Sequence, residues 1–468
     1  MPGTAALIAL VLSGWQASTL SNSSPICQHP DAPHYLLFRG KPTVLVTSGE
    51  HYGALLNQDF DFIPYFKTLA HDGLNLTRIF SGTYREVPGS FNIKANTLAP
   101  KPGRYLAPWV KVQEAAGDRL EQFDLDRFEP AYFDRLKALL TTAGEHGIVV
   151  EFVLFCPLYE ENLWAANPMN ALNNVNGLAS CPREEVYTLK HPALLEKQLA
   201  FVRKAVTELQ AFDNVYFEIC NEPYFGGVTL DWQKRIAQEI ASTEQNEARQ
   251  HLIAQNIANK SAKVQAAVHP AVKILNFHYS EPAAALENYH LDLTLGDDET
   301  GFAGTANATY RAEAWLFLLS GGAIYNNLDY SFTTEHETGT AKVEDPTPGG
   351  GGAQLRAQLG VLKKFLESLN LLKMRPEPAI LKAGLPEGAK AAVLAEPGRQ
   401  YAVYVNKGGK AKLILNLPAG TYTGTWVDPG TGNSLHEFEF MHVGDEITLP
   451  EIEFPEDVAL NLIRNEGR

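Results

Sequence analysis

Asn214-Val-Tyr-Phe-Glu-Ile-Cys-Asn-Glu-Pro223 decides how the rest of this 468-residue chain is read. Residues 215–219 are rich in β-branched and aromatic side chains, follow the polar pair Asp213-Asn214, and read as a short strand. Pro223 has no amide hydrogen for a sheet ladder, so it closes the strand just after Asn221 and Glu222. That places a carboxylate at the C-terminal lip of a strand, where barrels and open α/β sheets keep their chemistry. Taken alone, a simple Asn-Glu-Pro turn leaving a surface strand explains these residues equally well.

A second stretch weighs against the simple turn. Leu291-Asp-Leu-Thr-Leu-Gly-Asp-Asp-Glu-Thr-Gly-Phe302 is another short apolar run ending in acids. Glu299 lies 299 − 222 = 77 residues after Glu222, room for three strand–helix units. Asp297 and Asp298 compete with Glu299 for the same position. Further strands are expected at 43–47, 74–80, 148–155, 251–256, 272–279 and 321–330, with helical patterns between them. Residues 148–155 are almost continuously apolar, as a strand covered on both faces should be. Eight such alternations predict an α/β fold, a (β/α)8 TIM barrel. No Gly-x-Gly-x-x-Gly follows any strand, so nothing supports a dinucleotide site.

The Asn-Glu-Pro element with a distal strand-end glutamate resembles clan A of the retaining glycoside hydrolases, the superfamily of cellulases, β-mannanases and many β-galactosidases. The resemblance covers residues 35–372. It implies Glu222 as acid/base at the end of strand four and Glu299 as nucleophile at the end of strand seven. It also implies Arg78 beside the nucleophile, where Coulomb attraction would keep a carboxylate ionised. A His and a Tyr after strand six are matched by His278 and Tyr279, although here they are adjacent and either one is free to face inward. Where the clan often has a Trp after strand eight, this chain has Tyr325, Asn327, Asp329 and Tyr330. Asn221 is expected to bind the sugar's 2-hydroxyl, and Glu50, His51, Gln255, Asn256, Asn327 and Asp329 fall at strand ends as candidates for other hydroxyls. Glu218, four residues deeper than Glu222, reads as a paired structural acid. The resulting expectation is a retaining β-glycosidase acting on carbohydrate, with no cofactor and no metal. The alternative is a barrel that binds carbohydrate without turning it over.

Residues 81–122 and 156–187 are too long for plain βα loops and are expected to lie over the barrel mouth. Trp164 is the preferred sugar-stacking platform, with Trp109, Tyr84 and Tyr105 as further candidates. Beyond residue 375 short alternating strands and Gly-rich turns predict a small β-sandwich, giving a barrel over 26–375 and an accessory domain over 376–468. Within it Trp426 and Tyr404 are expected in the core.

A formal net charge of −15 argues against a nucleic-acid surface, which needs clustered Lys and Arg. No apolar run is long enough to span a bilayer. Residues 1–25 combine an apolar core, Ala5-Ala-Leu-Ile-Ala-Leu-Val-Leu12, with a Ser-rich spacer, and are expected to be a secretory signal although no Lys or Arg precedes the core. Secretion or export to a periplasm follows from that expectation. Cys27, Cys156, Cys181 and Cys220 lack metal-ligand spacing. Cys156 with Cys181 is an open pairing option, and Cys220 is expected to be buried.

Overall fold

The computed structural model describes residues 24–114, 121–265, 268–344 and 347–465. The signal-like segment up to residue 23 and the start of the loop at Pro346 lie outside them. Eight parallel strands form one sheet: β1 (Leu45–Gly49), β2 (Leu76–Phe80), β3 (Val149–Val153), β4 (Val215–Glu218), β5 (Ile253–Asn259), β6 (Val272–His278), β7 (Thr294–Thr300) and β8 (Ile324–Leu328). Neighbours run in the order β1-β8-β7-β6-β5-β4-β3-β2, which is the TIM barrel expected.

The seam between β1 and β2 is closed by a side chain. Asn75 donates through Nδ2 to the Val44 carbonyl (2.8 Å) and accepts at Oδ1 from the Val46 amide (2.9 Å). Its own amide donates to the Val46 carbonyl. The carboxamide therefore takes the place of a missing ladder rung.

Alternation along the strands fills the barrel in layers. Leu45, Leu76, Val149, Tyr216, Ala254, Ile274 and Ile324 form an apolar floor. Leu36 and Phe38 of the preceding three-stranded sheet, with Ile26 just before its first strand, plug it from below. The next layer carries Arg78, Glu151, Glu218, Asn276 and Asp298, all fully or almost fully buried. The site lies above that polar layer. Amphipathic helices jacket the barrel, such as Pro130–Glu145, with Pro at its first turn and Tyr132, Leu136, Leu139 and Ala143 facing inward.

The C-terminal region is a β-sandwich. A six-stranded antiparallel sheet faces smaller sheets of three and two strands across Val403, Leu415, Tyr422, Trp426 and Leu460. It joins the barrel through helix Asn307–Leu319. There Arg311 grips Asp457 with two bonds (2.8 and 2.7 Å), and Trp315 stacks on Tyr404 at 5.3 Å. Tyr404 and Trp426 are fully buried, as expected. No helix among the described residues is long and apolar enough to cross a membrane.

Candidate active site

Glu222 and Glu299 meet at the C-terminal mouth of the barrel, where a cavity of about 300 Å³ opens. With His278 they form a group whose carboxylate and imidazole atoms lie within 4.8 Å of one another. Three local departures from regular strand geometry achieve this. A bulge at Asp298 pairs Phe277 with Asp297 but His278 with Glu299, so Asp298 and Glu299 both turn toward the barrel axis. Glu222 (φ +35°) and Tyr279 (φ +50°) hold left-handed backbone, which breaks strand parity. Asn221 and Glu222 accordingly both border the cavity, and His278 and Tyr279 both reach the carboxyls. The left-handed residues Tyr52, Phe91, Glu222, Tyr279 and Phe302 account for five of the fifteen that line the cavity, a concentration of strain typical of functional sites.

Each carboxyl has its own set of donors. Glu299 accepts from the Tyr279 hydroxyl at 2.5 Å and from Arg78 Nη1 at 3.2 Å. Glu222 accepts from the Tyr159 hydroxyl at 2.6 Å and from Tyr224 at 3.4 Å. His278 Nδ1 lies between them, 3.4 Å from Glu222 and 3.7 Å from Glu299, while its Nε2 is 3.4 Å from Asp298. Burial works to raise the pKa of Glu222, but His278 and the hydrogen bonds from Tyr159 and Asn259 together hold it below the ordinary carboxylate value.

Arg78 is the cation beneath both. It is enclosed by Glu218 (2.5 Å), Asp298 (3.1 Å), Glu151 (3.8 Å) and Glu299, and also donates to the Asn221 side-chain oxygen Oδ1 at 2.9 Å. Burial drives the pKa of Glu151 and Asp298 well up, which favours their neutral forms. Burial opposes ionisation of Glu218 as well, but Arg78 outweighs it and holds that carboxyl low. Glu218 is thus the paired interior acid expected. Asp298 is committed to this cluster, and Asp297 accepts from the Ser280 amide away from the cavity. Of the three neighbouring acids, Glu299 is the one that borders the cavity. Among the described residues, two groups have donor atoms close enough for a metal ion: Glu222–His278–Glu299 and Glu151–Glu218–Asp298. In the second, the Arg78 guanidinium already supplies the positive charge.

Several sequence candidates lie elsewhere. Trp164 is buried, donates to the Cys181 carbonyl at 3.2 Å and packs its own loop rather than the cavity. Trp109, Tyr84 and Tyr105 are likewise buried in loop packing. Glu50 caps its loop through the Gly53 and Ala54 amides and the Thr97 hydroxyl. Asn327 bonds Ser48, and Asp329 is held by Arg356, Ser331 and the Gly352 amide, so both build the rim. Asn256 is buried below the mouth and Gln255 does not border the cavity. Strand five runs three residues further than expected and delivers Asn259 instead. His51 does line the cavity, 3.6 Å from Glu86, a partner not foreseen. The missed wall is mostly aromatic: Phe80, Phe91, Tyr159, Phe225 and Phe302. Phe225 and Phe302 follow the two motifs directly, which is the signal that was available. The four cysteines are free; Cys220 is buried as expected and Cys156 borders the cavity.

No family model and no curated protein matches the sequence. Solved structures do match. One is a candidate glycoside hydrolase from Bacteroides vulgatus, at 13% identity and a TM-score of 0.66, covering 95% of this chain and 83% of that one. A glycoside hydrolase family 5 protein from Bacteroides vulgatus follows at 11% identity, TM-score 0.62, 94% of this chain and 92% of the other. A third structure, described as a glycoside hydrolase, has 11% identity, TM-score 0.60 and coverage of 94% and 97%. At such identities the likeness is one of fold, and it extends over nearly the whole chain, barrel and sandwich together.

Proposed function

We propose that this protein is a retaining β-glycosidase working through Glu299 and Glu222. The observation that carries the reading is the pair itself: two carboxyls with oxygens within 4.8 Å, one bonded to Arg78 and Tyr279 and the other to Tyr159 and His278. Double displacement calls for carboxyls about 5–5.5 Å apart, whereas inversion needs about 6.5–9.5 Å to admit water. In the first step a Glu299 oxygen bonds to the anomeric carbon, the glycosidic C–O bond breaks, and the Glu222 proton passes to the leaving oxygen. In the second, Glu222 takes a proton from water, whose oxygen displaces Glu299. Arg78 and Tyr279 donate to Glu299 and aim it at the anomeric carbon. His278 and Tyr159 favour the ionised Glu222 needed for the second step. A bound sugar excludes water and reinforces burial, the influence that pushes Glu222 toward the protonated form of the first.

His51 and Glu86 border the cavity alongside Asn221 and supply polar groups for sugar hydroxyls. Among the described residues no Lys or Arg lines it, which favours a neutral sugar. The fold likeness to glycoside hydrolases agrees with this reading, and the signal-like N-terminus with export.

Chromogenic aryl β-glycosides of glucose, galactose and mannose test it in wild type, Glu222→Ala and Glu299→Ala. Glu299→Ala should be nearly inactive on all of them. Glu222→Ala should keep its first step with a good leaving group and be slowed roughly 10²- to 10⁴-fold on poor ones. Wild type without turnover would favour the carbohydrate-binding alternative.

A further inference from the structure

The cavity has two chemically different sides, and the difference points to what leaves the sugar. Resting on the glycosidase reading, we infer that the leaving group is an apolar aglycone, an alkyl or aryl group, received by an aromatic collar around Glu222.

The collar is built from three loops. Phe91 meets Tyr159 edge-on at 5.5 Å, Tyr159 lies 5.9 Å from Phe225, and Phe225 lies 5.1 Å from Tyr224. Tyr159 and Tyr224 both donate to Glu222, so this group surrounds the carboxyl that protonates the leaving oxygen. The leaving group therefore exits across these rings. Phe302, edge-on to Tyr279 at 5.9 Å, closes the mouth on the Glu299 side.

Polar groups of the collar are already engaged. The Tyr159 hydroxyl serves Glu222 and also takes a hydrogen bond from Asn221 at 2.8 Å. The Tyr224 hydroxyl is committed to Asn259 and Glu222. A second sugar ring would bring several hydroxyls to a surface with few free partners for them, and unpaired buried hydroxyls are costly. An apolar chain or ring asks for none. Phe91, Tyr224, Phe225 and Phe302 are 37–46% exposed, so apolar surface stands open at the mouth of a reaction site. Phe91 and Phe302 are held there in left-handed backbone, a strained conformation that clusters at functional sites. Elsewhere in the cavity, His51 and Glu86 supply the polar groups a sugar needs.

Initial rates on methyl and octyl β-glycosides of glucose, galactose and mannose, below micelle-forming concentrations, and on the matching β-linked disaccharides test the assignment. They are measured for wild type and for Phe91→Ser/Phe225→Ser. For the sugar that is turned over, the octyl glycoside should exceed the methyl in kcat/KM by about 10-fold or more, with that ratio falling below about 3 in the double variant. The disaccharide should do no better than the methyl glycoside. Methyl turnover with an octyl-to-methyl ratio near one, or a preferred disaccharide, overturns the aglycone and leaves the glycosidase standing. An octyl preference that survives the double variant overturns the collar as its seat. No turnover of any member overturns both.

Discussion

At the scale of single residues, Arg78 sets the electrostatics. Four carboxyls surround one guanidinium; burial favours the neutral forms of Glu151 and Asp298, while Arg78 favours the ionised form of Glu218. Replacing an acid whose neutral form is favoured should matter little. Glu151→Gln should change unfolding free energy by less than about 1 kcal/mol, whereas Glu218→Gln leaves Arg78 short of its ionised partner and should cost about 3 kcal/mol. Urea denaturation of both variants at neutral pH checks the contrast. His278 supports a kinetic prediction. Glu222 faces His278, Tyr159, Tyr224 and Glu299, and the first-named contributes most to holding its pKa down. The basic limb of kcat/KM reports the acid of the free enzyme. It should lie on the acid side of neutrality in wild type and move to higher pH in His278→Gln. A limb that stays in place or moves down would remove His278 from this role.

At the scale of elements, two features outside the site make predictions. The β1–β2 seam depends on the Asn75 carboxamide. Asn75→Ala leaves one amide and one carbonyl without partners and should destabilise the protein by about 2–3 kcal/mol, read as a lowered Tm. On helix Asn307–Leu319, burial pushes the Glu313 carboxyl from 4.5 up to about 7. Its folded value exceeds its unfolded one, so the stability linked to its proton is full below about pH 4.5 and is lost as pH rises to 7. Glu313→Gln should therefore gain on wild type by up to about 2–3 kcal/mol between pH 5 and pH 8, less to the extent that water reaches the carboxyl. Equal Tm differences at the two pH values would contradict this. These elements also mark what was legible in the sequence. Strand positions followed from apolar runs and their stops, and with them the placing of Glu222 and of the acids 297–299 at strand ends, while Arg78 and the pair His278 and Tyr279 came from the family resemblance. The bulge at Asp298 and the left-handed turns at Glu222 and Tyr279 were not legible, because simple alternation assigns consecutive residues to opposite faces. For the same reason sequence left Asp297, Asp298 and Glu299 undecided. Trp164 misled because aromatic content alone does not distinguish a ring packed inside its loop from one lining a cavity.

At the scale of the whole molecule, barrel and sandwich are joined through a buried ion pair. Arg311 bonds Asp457 twice and Glu456 once, and Tyr404 donates to the same Asp457 at 2.8 Å. Arg311→Ala leaves Asp457 buried and unpaired and should cost about 3–5 kcal/mol, with calorimetry showing the melting transition broaden or split as the two parts uncouple. A single sharp transition at the wild-type Tm would contradict that. The closed barrel has a larger consequence, since it brings together acids 77 residues apart in the chain. Whether they act as proposed is tested most directly by trapping. The protein is incubated with 2-deoxy-2-fluoro-β-glycosides of glucose, galactose and mannose bearing a good leaving group, digested and analysed by fragment-ion mass spectrometry. Glu299 is predicted to carry one fluorosugar as a covalent ester, whereas a label on Asp297, Asp298 or Glu222, or turnover of the parent glycosides without any trapped ester, would contradict it.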